Sequence, residues 1–208
     1  MNQFALFGYS GHAFVIADAI KMMGDDMIGY YDRAEAKVDP FNLKYLGDEK
    51  DEVALDKIKD SGASFFVSIG DNSIRKTLIR HLIEKGFVTT SVIHPTSIFS
   101  TLATIGAGSF VAAGAIINPL AKIGVGAIIN TGAIVEHECR IGDYVHIAPG
   151  AVLAGSVHVG DGSFIGANAV VKHGVKIGSN VIIGAGSVVL KDIAMSQTWV
   201  GNPAKRLG

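Results

Sequence analysis

The stretch IGAGSF VAAGAI INPLAK IGVGAI INTGAI VEHECR, residues 105–140, carries an aliphatic side chain at every sixth position. The beat continues without a slip through Ile141, Ile147, Leu153, Val159, Ile165, Val171, Ile177 and Ile183 to Val189. Neither a helix nor an ordinary strand repeats in six. Such a hexad repeat predicts a parallel β-helix, in which each hexad makes one side of a coil and turns its aliphatic residue inward. The residue two before each aliphatic is small or β-branched, from Ser109, Ala115 and Ala121 through Cys139 and Val145 to Ser187. A second inward slot beside a narrow axis has to be short. Gly follows the aliphatic at Ile105, Ile123, Ile141, Val159 and Ile177, eighteen residues apart, so three hexads predict a triangular coil and five coils a prism.

The 208 residues, 49% of them hydrophobic, suffice for one large or two small globular units. A formal net charge of −1 and 8% aromatic residues argue against nucleic acid as a partner. Cys139 is the only cysteine, which excludes an intramolecular disulfide. The apolar run Phe4 to Phe7 is too short for a signal peptide, and no run of 18 apolar residues occurs. No membrane partner is expected, and a soluble cytoplasmic protein is the default.

Ahead of His94-Pro95 the hexad beat is absent. Phe4–Phe7 reads as a buried strand, 8–12 as a tight loop, Ala13–Met23 as a helix and Met27–Tyr31 as a second strand ending at Asp32. Ser64–Ile69 reads as a third strand; Asn72 or Ser73 caps a helix over Ile74–Lys85, Gly86 ends it, and Val88–Ile93 leads onward. The order β-α-β-α-β-α-β predicts a small Rossmann-like parallel sheet with helices on both faces over residues 1–93, followed by the β-helix over 94–208. Ligands of such sheets sit beyond the carboxyl ends of the strands, where the loops Gly8–His12, Tyr31–Arg33 and Gly70–Asn72 converge. Gly8 and Gly11 permit close approach of a ligand, and the helix start at 11–13 favours an anion such as a phosphate, although a glycine pair after a strand also makes a simple turn. Asp32 suits a ribose or sugar hydroxyl, or equally a solvated loop.

Glu136-His137-Glu138 interrupts the coil with three ionisable residues. A histidine between acids is held in one tautomer with raised basicity, as a general base requires; the same triplet also suits an exposed corner. One coil on from 137 stands Gly155, whose N–H would lie about one strand spacing, roughly 4.8 Å, above the imidazole and could steady an oxyanion. Metal is the competing use of histidine, among His137, Cys139, His146, His158 and His173. His173, two coils from His137, is expected near 10 Å from it, about twice the strand spacing, too far to share an ion, and no metal is expected. From Val171 to Gly208 five basic residues meet one acid, Asp192; a basic end suits a polyphosphorylated ligand, and also plain solubility.

Tyr9-Ser10-Gly11-His12, Ile69-Gly70-Asp71-Asn72 with Ile74-Arg75-Lys76, Asn130 with Glu136-His137-Glu138-Cys139, and the closing Val200-Gly201-Asn202-Pro203-Ala204-Lys205-Arg206 together resemble the hexapeptide acyltransferases. The resemblance is to the sialic-acid O-acetyltransferase-like (NeuD/PglD-type) sugar-nucleotide acetyltransferases of bacterial glycan pathways. It implies a left-handed β-helix, a homotrimer, and acetyl-CoA held between neighbouring prisms. It further implies that His137 is the general base, that Glu138 raises its basicity, and that Asn130 contacts the acceptor. His146 and the Gly155 amide would meet the thioester, Ala167 and Ala185 would line the coenzyme channel, and Lys205 would join the coenzyme site. Ser10, Gly11, His12, Asp32 and Gly70 would hold the nucleotide of an amino sugar of the UDP-4-amino-4,6-dideoxy-hexose type, with N-acetylation by direct transfer. UDP-sugar members often carry two adjacent acids after the second strand, where this chain has Asp32-Arg33. The alternative acceptor is a hydroxyl of sialic acid or a related sugar.

Overall fold

The computed structural model describes residues 2–51, 55, 61–194 and 196–208. Four strands, β1 (Gln3–Phe7), β2 (Asp26–Tyr31), β3 (Tyr45–Gly47) and β4 (Ser64–Val67), form a parallel sheet in the order β3-β2-β1-β4. Helix α1 (Gly11–Met22) covers one face through Ala13, Ile16 and Ile20 against Phe4, Leu6 and Phe66. The opposite face is covered by α2 (Asn72–Glu84), whose Ile79 and Leu82 meet Ala5, Phe7, Phe65 and Val67. Of the expected helix between β2 and β4 only Leu55 and Ser61 are among the described residues, both helical, and β3 is an edge strand absent from the sequence reading. The cap of α2 is Asp71, not Asn72 or Ser73: its Oδ1 accepts from the amides of Ser73 and Ile74 at 2.9 Å, satisfying first-turn donors.

From Val92 onward the chain winds into a triangular prism of paired two-residue strands. One face stacks Val92–Ile93, Phe110–Val111, Ile128–Ile129, His146–Ile147, Phe164–Ile165 and Ile182–Ile183, closed by the antiparallel pair Thr198–Val200 and Lys205–Arg206. The second runs from Ile98–Phe99 to Val188–Val189, the third from Thr104–Ile105 to Lys176–Ile177. Register steps by eighteen, as in Ile123 against Ile141 and Ile129 against Ile147. From Val111 to Val189 the sixth-position aliphatics are buried in one core with the short residues two before them, Cys139 included. Val92–Ile93 already pairs with Phe110–Val111 as the first rung.

Corners carry the repeat as firmly as the core does. Every sixth residue from Gly108 to Gly186 has a φ between 54° and 72°, the left-handed region that side chains disfavour. Leu120, Glu138, Tyr144, Ser156, Asn168 and Asn180 adopt it without being glycine. The first face of the prism backs onto the small domain, where Val92, Phe110, Ala112 and Ile128 join the core beneath α1.

Candidate active site

His137 stands at the corner between the second and third faces. Its Nδ1 lies 3.1 Å from Glu138 Oε2; a carboxylate only accepts, so Nδ1 donates and Nε2 keeps its lone pair for a proton. Glu138 takes this place at φ 61°. Beside the ring, a β-carbon on Gly155 would fall 2.5 Å from both Cε1 and Nε2 of His137 and 3.1 Å from Nδ1 of His173. Among the described residues nothing bonds to the Gly155 N–H, whereas its carbonyl accepts from Gly174 N at 3.0 Å. A free lone pair and a free donor therefore share one glycine corner. The His137 and Glu138 side chains are 51% and 56% exposed, so the pair contributes little to stability and the corner stands open to a ligand.

Although His137 and His173 stand two coils apart, their ring centroids are 6.3 Å apart, because the intervening Gly155 has no side chain and both rings lie against it. Among the described residues no group of three or more His, Cys, Asp or Glu could hold a metal ion. Cys139 faces inward, with Sγ 3.3 Å from Ala154 O, and burial pushes its thiol up to about 11. A buried, protonated thiol makes no acyl-enzyme.

A second cluster lies where the two domains meet. Arg75 is 1% exposed and donates to the carbonyls of Gly126, Ile69, Gly70 and Tyr144 and to Asn72 Oδ1 at 2.7 to 3.1 Å. Asn72 Nδ2 in turn donates to Gly162 O and Ser163 O. These bonds fasten the loop after β4 to three coils. His146 Nδ1 donates to Gly70 O at 3.3 Å, and its Nε2 accepts from Asn130 Nδ2 at 3.1 Å. His12 packs against it with ring centroids 6.2 Å apart, its own Nε2 buried without a partner. Burial, with Arg75 nearby, lowers both histidines to about 4, so both are neutral at physiological pH. The structure thus brings His146, Asn130, His12 and Gly70 together at the junction, on a different face of the prism from Gly155.

Above the junction is the crevice of the small domain. Ser10 caps α1 without a side-chain bond of its own, and a β-carbon on Gly11 or on Gly70 would meet nothing within 4 Å. Asp32 folds over the first loop, its Oδ2 accepting from Tyr9 N at 2.8 Å and its Oδ1 from Arg33 N at 2.7 Å. Open backbone at a helix start beside a fixed carboxylate suits a nucleotide diphosphate and its ribose.

Ala167 and Ala185 stack one coil apart at the corner between the first and second faces, where Gly186 N donates to Ala167 O at 2.8 Å. Lys205 is exposed on the closing strand pair. Within one chain, then, the second face separates the Ala167 corner from the His137 corner. That face carries a ladder that the sequence reading missed: Ile98, Ile116, Ile134, Val152, Val170 and Val188, with Ile98 63% and Val170 41% exposed. The third face carries Lys122, Arg140, His158 and Lys176 in the same positions. The signal was the residue just before each inward aliphatic, taken every eighteenth position rather than every sixth. Arg75 was missed as a structural centre because four of its five acceptors are main-chain carbonyls.

Comparison with known proteins falls on both halves of the chain. Residues 3–82 match the family model described as the PglD N-terminal domain, and residues 120–155 and 156–191 match that of the bacterial transferase hexapeptide (six repeats). A GDP-perosamine N-acetyltransferase from Caulobacter crescentus, solved as a histidine-to-alanine mutant with CoA and GDP-perosamine, is 37% identical over 100% of this chain and 98% of that one, with a TM-score of 0.93. The acetyltransferase domain of PglB from Neisseria gonorrhoeae, in complex with acetyl coenzyme A, is 32% identical over 99% of each chain, with a TM-score of 0.92. WeeI from Acinetobacter baumannii, at 24% identity over 100% of both chains and a TM-score of 0.84, shares the fold. No curated protein sequence matches the chain. The prism is the left-handed β-helix of these structures, joined to a small Rossmann-like domain.

Proposed function

The chain belongs to the PglD-type hexapeptide-repeat sugar acetyltransferases, enzymes that take their acyl group from acetyl-CoA, and from that premise we propose that it N-acetylates the amino group of a nucleotide-linked amino sugar. The observation that carries this reading is the His137–Gly155 corner, where the imidazole packs against a glycine whose N–H has no partner among the described residues. The relative that binds GDP-perosamine supports an amino-sugar nucleotide as acceptor. Ser10, Gly11, His12, Asp32 and Gly70 line or buttress the nucleotide crevice, and Asn130, steadied by His146, faces the acceptor.

Transfer proceeds directly. The amine nitrogen attacks the thioester carbonyl while His137 Nε2 takes its proton, and the Gly155 N–H donates to the oxygen as charge develops there. The C–S bond then breaks, and the imidazolium returns its proton to the departing thiolate, leaving N-acetyl sugar and CoA. Holding both substrates side by side supplies the orientation that a bimolecular reaction lacks.

We further propose a homotrimer as the working form. An exposed aliphatic ladder on one face calls for cover, and it lies between the two corners assigned to the coenzyme, His137 with Gly155 and Ala167 with Ala185. A second copy seated there shields the apolar face and completes a groove that Lys205 and His146 would reach from neighbouring surfaces.

The test is His137→Ala. Free CoA released from acetyl-CoA and a nucleotide-linked amino sugar should fall by about 10²- to 10⁴-fold, with acetyl-CoA affinity by calorimetry unchanged, whereas Cys139→Ala keeps wild-type turnover. Full activity in the first variant removes the base assignment.

A further inference from the structure

A cavity of about 420 Å³ opens beyond the carboxyl ends of β2 and β3, between Arg33, Glu49 and Lys50 on one side and Ile74, Thr77 and Leu78 of α2 on the other. It adjoins the Gly70–Asn72 loop, and none of the residues assigned so far lines it. We propose that this cavity holds the nucleobase of the sugar nucleotide and selects guanine through the carboxylate of Glu49; the inference rests on the acetyltransferase reading above and goes beyond it to the identity of the base.

Three features lead there. In an open parallel sheet the ligand crosses the carboxyl ends of the strands, so a nucleotide whose diphosphate sits at the α1 start beside Asp32 extends its base toward β2 and β3. The cavity walls then suit a flat ring: Ile74, 46% exposed, and Leu78 form an apolar side, and the Arg33 side chain, 76% exposed, can lie across the other face of the base. Finally, Glu49 has a side chain only 16% exposed, and its ion pair with Arg33 spans 3.8 Å from Nε to Oε1. That separation exceeds a hydrogen bond, and a sheltered carboxylate gains most from a ligand that brings donors to both oxygens.

Guanine brings them. Its N1–H and N2–H point the same way with the spacing of a carboxylate's two oxygens. Uracil presents one N–H between two carbonyl oxygens, which would face the carboxylate with like partial charge, and adenine pairs its one N–H₂ edge with an acceptor. The base assigned here departs from the uridine nucleotide that the resemblance implies, and Arg33 in place of a second acid is part of the same difference.

Calorimetry of the full chain with GDP, IDP and UDP tests the proposal without reference to turnover; IDP lacks the exocyclic N2 amine. GDP should bind about ten- to a hundredfold more tightly than either. In Glu49→Gln that margin should shrink by about tenfold or more, with acetyl-CoA affinity unchanged. Equal or tighter binding of UDP or IDP, an undiminished preference in Glu49→Gln, or no binding of GDP overturns the inference. Should Glu49→Gln fail to fold, the wild-type ranking decides alone. Absence of CoA release with any amino-sugar nucleotide, beside an intact ranking, would count against the acetyltransferase reading and not against the base.

Discussion

The imidazole of His137 occupies the volume that a side chain at Gly155 would claim, with Cε1 and Nε2 each 2.5 Å from the β-carbon position. The φ of Gly155 lies outside the left-handed region, so alanine fits the backbone there and conflicts with the His137 ring, crowding that of His173 at 3.1 Å as well. Gly155→Ala should fold with a Tm close to that of the native chain and lose at least tenfold in kcat, since a shift of about 1 Å in a reacting group costs on the order of 10² in rate. Native kcat in this variant would separate the corner from the chemistry.

Glu138 holds the Nδ1 side of that ring from a backbone that opposes it. A left-handed φ costs a non-glycine residue about 1 kcal/mol, and two corners on, at Gly150, the chain uses glycine at a φ of 67°. Glu138→Gly should therefore unfold in urea at the same concentration or a higher one while turning over more slowly. A variant both less stable and fully active contradicts this division between strain and function.

Acid should loosen the domain junction. His12 and His146 are lowered from 6.5 to about 4 by burial, with Arg75 adding to it. Between those values the unfolded chain binds protons that the folded chain refuses, so stability is complete above about pH 6.5 and declines as the pH falls toward 4. Each pKa unit corresponds to about 1.4 kcal/mol per group. Urea midpoints measured across this range should fall less steeply in His12→Asn than in the native chain; parallel curves would dismiss the assignment.

The aliphatic ladder makes a prediction about assembly. Val170 is 41% exposed in the single chain, so Val170→Lys is tolerated by a monomer and leaves a buried charge in an assembled one. Sedimentation should show the native chain as a trimer and the variant as a smaller species. An unchanged sedimentation coefficient would place the subunit contact elsewhere.

How far the sequence could be read followed the range of the forces involved. The hexad beat announced the prism, its inward columns and the fate of Cys139, because burial along a repeat is a local pattern. Strands β1, β2 and β4 were legible for the same reason. Arg75 was not, since its acceptors at Gly126 and Tyr144 lie 51 and 69 residues away and are main-chain atoms that no motif displays. The closeness of His137 to His173 was missed because spacing fixes where two α-carbons stand, while the glycine between them decides where the rings lean. Asp71 as the cap of α2 was one residue from the expected position, within the usual fraying of helix ends.

Along the His137 corner the main chain links itself coil to coil: Glu138 N to Pro119 O, Ser156 N to His137 O and Gly174 N to Gly155 O. The altitude of each functional group is set by these links and owes nothing to which side chains are present. The protein is in this sense graduated like a rule, with eighteen residues to the division. A whole division spliced in past Val189 merely lengthens the scale. One spliced between His137 and Gly155 drives the base away from its donor by a full notch, however well the lengthened prism folds.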